Sequence, residues 1–207
     1  MKKSLTTPFQ TQLWEAVKAI ERNSQAEVVV VIRSHAANYH AIPLAWGAIS
    51  AWLMHTYIVF APEFFPDWWI YCAPMLAFTL FYGFAHLPWI IRLSSRRSSL
   101  QKNVEIMARA LFQKGGIHQT RGKIGLLIYC SELEKLVYLL PDSGLEIALP
   151  VAEWQNLRTE FQQIFNSRQP HTALLAQLEK TAAVFSRYLP AQANAINELP
   201  DDMDIDL

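Results

Sequence analysis

The residues of this chain best suited to chemistry are three carboxylates, Glu27, Asp142 and Glu146, and two cationic or protonatable groups, Arg121 and His118. Metal-assisted phosphate hydrolysis needs this combination: carboxylates that hold a hard divalent cation such as calcium, and a cation that binds the phosphate oxygens. On that reading Asp142, Arg121 and His118 are the catalytic candidates, and Glu27, Asp142 and Glu146 are the candidate metal ligands. Each has a structural alternative. Asp142 lies in Pro141-Asp142-Ser143-Gly144, a turn in which Asp most often bonds its own backbone while Gly supplies a positive φ. Arg121 and His118 follow Gly116 in a loop, where they either clamp an anion, cap a helix end or pair with Glu27. The stronger signatures are missing: there is no Gly-x-Ser-x-Gly, His-Glu-x-x-His, Cys-x-x-Cys or P-loop pattern.

The elements that must position these groups follow from periodicity and capping. Thr7-Pro8-Phe9-Gln10 reads as a capping box with proline at the first helical position, and Phe9, Leu13, Val17 and Ile20 continue at helical spacing, which predicts a helix over 8–22. The β-branched run at 27–33 predicts a strand buried on both faces. Ser98 and Gln101 make a second capping box, Leu100, Val104, Met107, Ala108 and Leu111 form a stripe, and Gly115-Gly116 stops that helix. Strands over 123–130 and 135–141 are separated by Ser131-Glu132-Leu133-Glu134 and should pair antiparallel. Trp154, Leu157, Phe161, Ile164 and Phe165 mark one further helix, and Leu174, Leu178, Ala182 and Phe185 another. Strands and helices that share an apolar face imply a layered α/β domain.

Two segments without fixed charge interrupt this pattern. Residues 42–61 match a hydrocarbon layer of roughly 30 Å at about 1.5 Å per residue, and residues 68–91 are long enough to cross with some tilt, with Pro74 and Pro88 placed to kink or end the helix. Phe64, Phe65, Trp68 and Trp69 near one end and Trp89 near the other suit an interfacial belt. Lys2, Lys3, Arg22 and Arg33 precede the first segment and Arg92, Arg96, Arg97 and Lys102 follow the second, whereas the connecting loop carries only Glu63 and Asp67. By the positive-inside rule both termini and the domain face the cytoplasm, and the lipid bilayer of the cell (inner) membrane is the first expected partner. His55 and His86 fall roughly 12 Å apart in depth in an antiparallel pair, too far to share a metal, so each is expected to bond a carbonyl or a hydroxyl on its partner helix.

The net charge of +0 and pI near 7.0 argue against a nucleic-acid partner. Cys72 and Cys130 read as unpaired thiols, and Met1 to Gln10 lack the apolar core of a signal peptide. Asp201, Asp202, Asp204 and Asp206 read as a solvated acidic tail rather than a cation site.

Ala108-Arg109-Ala110-Leu111-Phe112, Gly116-Ile117-His118-Gln119-Thr120-Arg121, Gly125-Leu126-Leu127-Ile128-Tyr129 and Glu134-Lys135-Leu136-Val137 resemble the TPM domain. The likeness reaches upstream to Ala19-Ile20-Glu21 and Ala26-Glu27-Val28-Val29-Val30, and downstream through Asp142-Ser143-Gly144-Leu145 to Tyr188. It implies an α/β/α sandwich with a mixed β-sheet, interrupted here by an inserted two-helix transmembrane hairpin. For function it implies acid phosphatase activity in some members and adaptor or assembly roles beside membrane complexes, hence a membrane protein partner, in others. Phosphatase members carry an Asp-bearing motif before the first helix, where this chain has Ser4-Leu5-Thr6-Thr7-Pro8. The expected organisation is residues 1–41 as the start of the domain, 42–91 as the hairpin, 92–190 as the remainder and 191–207 as a disordered acidic tail.

Overall fold

A computed structural model describes residues 7–120, 122–191 and 205–206. It divides into two compact units: the chain up to Ala36 together with that from Gln101 onward, and the intervening Ala37–Leu100. The second unit contains both segments without fixed charge, 42–61 and 68–91.

The first unit is mixed α/β. In chain order its elements are α1 (Thr7–Asn23) and β1 (Glu27–Arg33); the insert then carries α2 (Ala41–Phe60), α3 (Asp67–Phe84) and α4 (Pro88–Ser94); α5 (Arg97–Lys114), β2 (Gly125–Ser131), β3 (Leu136–Pro141), α6 (Ser143–Ala148), α7 (Val151–Gln162), α8 (Pro170–Tyr188) and β4 (Ile205–Asp206) complete the chain. The sheet order is β3-β2-β1-β4. β1 runs parallel to β2 from Glu27↔Gly125 to Arg33↔Ser131, and β2 pairs antiparallel with β3. Parallel neighbours need a crossover, and α5 supplies it. The insert thus occupies the loop between the carboxyl end of β1 and its crossover helix.

Strand alternation sends side chains to two separate cores. Val28, Val30, Ile32, Leu126, Ile128, Val137 and Leu139 pack with the apolar faces of α1, α7 and α8. Val31, Leu127 and Tyr129 pack with Val104, Ala108, Leu111 and Phe112 of α5. The strand buried along its whole length is β2, whereas β1 leaves Glu27, Val29 and Arg33 partly exposed. The long β-branched run in β1 reflects β propensity more than complete burial.

Three further expectations change. The turn at Pro141-Asp142-Ser143-Gly144 opens α6, a helix the sequence reading lacked, and Gly144 is not at positive φ; Gly116, Lys123 and Lys135 are the described residues that are. Gly144 is small because a Cβ there would collide with the carbonyl oxygen of Gly122 and lie 2.8 Å from that of Lys123. Most of the acidic tail lies outside the described residues, but Ile205 and Asp206 pair parallel with Ile32 and Arg33, giving β1 a partner on its otherwise open edge. Finally, residues 68–91 do not form one helix: α3 ends at Phe84, and α4 turns from it by 96°. Pro88 causes the break, since it disfavours helical backbone at Leu87, whose ψ is 130°, and then serves as the first residue of α4.

In the second unit α2 and α3 pack closely. Gly47 permits this, because a Cβ there would sit 2.9 Å from the Phe78 ring and 3.2 Å from its carbonyl oxygen. The Ser50 hydroxyl bonds the carbonyls of Gly47 (2.8 Å) and, across the pair, Ala77 (3.2 Å). Outward side chains include Trp52, Tyr71 and Met75, at 66%, 74% and 71% exposure. α2 is long and apolar enough to cross a membrane, and only 17% of its apolar window is buried; α3 and α4 pass the same test only when taken together as one broken span.

Candidate functional site

The strand register gathers most of the chemical candidates at one end of the sheet. Glu27 opens β1 opposite Gly125, and Asp142 N–H donates to the Gly125 carbonyl at 2.8 Å. Glu27, Gly125 and Asp142 therefore occupy successive positions across β1, β2 and the end of β3, on the α5 side of the sheet. The loop after α5 crosses this face. A Cβ on Gly125 would lie 2.6 Å from Ile117 Cγ2 and 2.7 Å from its carbonyl oxygen, so glycine is required by close approach. His118 follows directly, its ring 6.4 Å from that of Phe112.

This same geometry separates the expected metal ligands. Glu27 and Asp142 stand about 10 Å apart at the backbone, two strand spacings, and Ile117 fills the place between them. Glu146 is exposed on α6. Among the described residues, no group of three or more His, Cys, Asp or Glu side chains is arranged to hold a metal ion. Glu27, Asp142 and Glu146 do not fit a divalent-cation site, since a hard cation needs its oxygens converging within a few ångströms. Arg121 lies outside the described residues.

Asp142 is first a helix cap. Its Oδ1 accepts from Ser143 N–H at 2.7 Å, and its carbonyl accepts from Glu146 N–H at 3.0 Å. The adjoining loop is tied to α6 by Leu145 N–H donating to the Lys123 carbonyl at 3.1 Å. Asp142 Oδ2, Thr120 Oγ1 and His118 Nδ1 are buried atoms at this end without a hydrogen-bond partner in the structure. Among the described residues, this end thus offers polar atoms to a ligand but no converging set of carboxylates.

The sequence reading missed the polar network at the opposite end. Glu134 is buried, accepting from Ala36 N–H at 2.9 Å and from the Ser131 hydroxyl. Leu133 N–H donates to the Ser34 carbonyl at 2.9 Å and Glu132 N–H to that of Arg33 at 3.0 Å. Burial, reinforced by the Glu134 charge, pushes the Tyr129 phenol up to about 12, and burial pushes the Cys130 thiol to about 12. Ligands of open α/β sheets commonly bind beyond the carboxyl ends of parallel strands. Here the β2–β3 turn and residues 34–36 take that place and fasten the point where the chain leaves for the insert. The only advance signal was an acidic residue in a short interstrand turn, which looks like ordinary surface.

In the insert, His86 Nδ1 lies 2.8 Å from the Tyr82 carbonyl of its own helix rather than a group on the partner helix, and Cys72 of the insert and Cys130 of β2 are free thiols.

No family model matches the sequence, and no curated protein matches it. A solved structure does resemble it: the NMR structure of BA42 protein from the psychrophilic bacteria Bizionia argentinensis sp. nov. aligns over 100% of this chain and 98% of that chain, at TM-score 0.61 and 16% identity. At that identity the likeness concerns the fold.

Proposed function

We propose that this chain is a membrane-anchored, TPM-like α/β/α sandwich that acts as an interaction or assembly module beside a membrane complex. The α2–α3 hairpin spans the cell (inner) membrane, and the domain and both termini are cytoplasmic. The observation that carries this reading is the inside-out hairpin: small residues, Gly47 and Ala73, face inward while Trp52, Leu53, Tyr71 and Met75 face outward. Water penalises such a surface and a bilayer rewards it. An assembly role is favoured over catalysis because the carboxylates needed for cation-dependent phosphate hydrolysis are held apart by Ile117.

The test is native electrophoresis of membranes solubilised in mild detergent, alongside phosphomonoester hydrolysis by the purified full-length protein with and without divalent cations. The expected result is a discrete complex larger than the protein alone, and no turnover. Cation-dependent hydrolysis that is lost in Asp142→Asn would replace this reading with an anchored phosphatase, since Asn retains the capping acceptor while removing the charge.

A further inference from the structure

The 96° turn between α3 and α4 assigns α4 a role of its own, one that rests on the membrane reading of the hairpin. α3 has 18 residues and is about 27 Å long, close to the roughly 30 Å of a hydrocarbon core. The chain therefore bends where the core ends, and a helix perpendicular to a span lies near the membrane plane. Within α4, Ile90 and Ile91 are buried. Ser94 Oγ accepts from Trp46 Nε1 at 2.9 Å, fastening α4 to the first turns of α2. Trp89 and Leu93, one helical turn apart, remain 50% and 76% exposed, and Leu87 just before the helix is exposed as well. Immediately beyond lie Arg96 and Arg97, both exposed, whereas the loop at the other end of the hairpin carries Glu63 and Asp67.

We propose that α4 is an interfacial helix that seats anionic phospholipids: Trp89 and Leu93 enter the acyl-chain boundary, and Arg96 and Arg97 bind the headgroup phosphates. Each component suits that partner. Trp is favoured at the interface for its amphipathic ring, an apolar helix face gains by partial immersion, and guanidinium groups pair with phosphate by two hydrogen bonds. The charge asymmetry of the two hairpin ends makes the preference one-sided.

The test uses delipidated full-length protein returned to nanodiscs of phosphatidylcholine with a minor fraction of phosphatidylglycerol, reading retained lipids by native mass spectrometry. Wild type is expected to retain phosphatidylglycerol preferentially. Each basic residue near an anionic surface contributes about fivefold, so Arg96→Ala with Arg97→Ala should lower the preference by about 25-fold. Arg96→Lys with Arg97→Lys should keep most of it. Trp89→Ser with Leu93→Ser should reduce retention of both lipids. Retention of the two lipids in their bulk ratio by wild type, or an unchanged preference in the double alanine variant, overturns the proposal. Flotation of the same variants with vesicles separates the two claims: a protein that floats without lipid preference defeats only the role of α4, and one that fails to float defeats the membrane reading beneath it.

Discussion

The α/β unit and the inserted hairpin use apolar residues in opposite ways. In the domain, Leu127, Ile128, Phe161 and Phe185 are sealed between sheet and helices, and Glu134 and Asp142 are the described charged side chains buried with them. In the hairpin, helices of similar length place Gly47 and Ala73 at their contact and leave Trp52, Leu53, Met75 and Leu80 outside. The domain carries its own solvent-excluded interior, whereas the hairpin leaves large apolar side chains on its outer face. One chain accommodates both because the insert enters at a β-to-α crossover, where the Glu134 network fixes the exit without interrupting the sheet.

The largest effect that would sharpen this comparison is a truncation in the domain. Phe161→Ala should cost about 3–5 kcal/mol of domain stability, measured by denaturant unfolding of the full-length protein in detergent, while membrane integration stays unchanged. A loss of integration without a loss of domain stability would break the division of labour.

Next comes a charge on the outward face of the hairpin. Leu53→Arg should cost about 2.5–3.5 kcal/mol in an insertion assay if that face meets lipid. The same change on a water-facing helix would fall within about 0.5 kcal/mol. A near-neutral outcome would mean that α2 is not surrounded by hydrocarbon.

A further effect is expected at high pH and belongs to the domain alone. Burial raises the Cys130 thiol from 9.0 and the Tyr129 phenol from 10.0, each to about 12. Both groups are held protonated in the fold above their unfolded values. The stability they confer is complete below pH 9 and is lost as pH rises through the folded values near 12. Denaturation midpoints should therefore fall across that alkaline window, and less steeply in Cys130→Ala than in wild type. Constant midpoints would place these groups in contact with water.

The domain elements are legible in the sequence wherever a long period is present. Phe9, Leu13, Val17 and Ile20 announce α1, and the Gly115-Gly116 stop of α5 is matched by positive φ at Gly116. Elements set by tertiary contact escape such reading. α6 is six residues long and depends on Gly144 approaching the Gly122 and Lys123 carbonyls, while β4 depends on the open edge of β1. The break after α3 is half visible: Pro88 marks it, but the 96° angle does not follow from proline alone. For the candidate site, the sequence singles out Glu27, Asp142 and His118, which lie at one end of the sheet in the structure. It does not foresee Ile117 seated on Gly125, because a glycine in a strand looks the same whether it admits a ligand or a neighbouring side chain.

The most direct test of the central claim is density-gradient flotation of the full-length protein with lipid vesicles, in high salt that removes proteins held by charge alone. The account predicts that the chain rises with the lipid and stays there, and that Leu53→Arg combined with Leu76→Asp leaves it in the dense fraction. A wild-type protein that remains in the dense fraction as a monodisperse soluble species would contradict the membrane hairpin, and with it the anchored role built upon it.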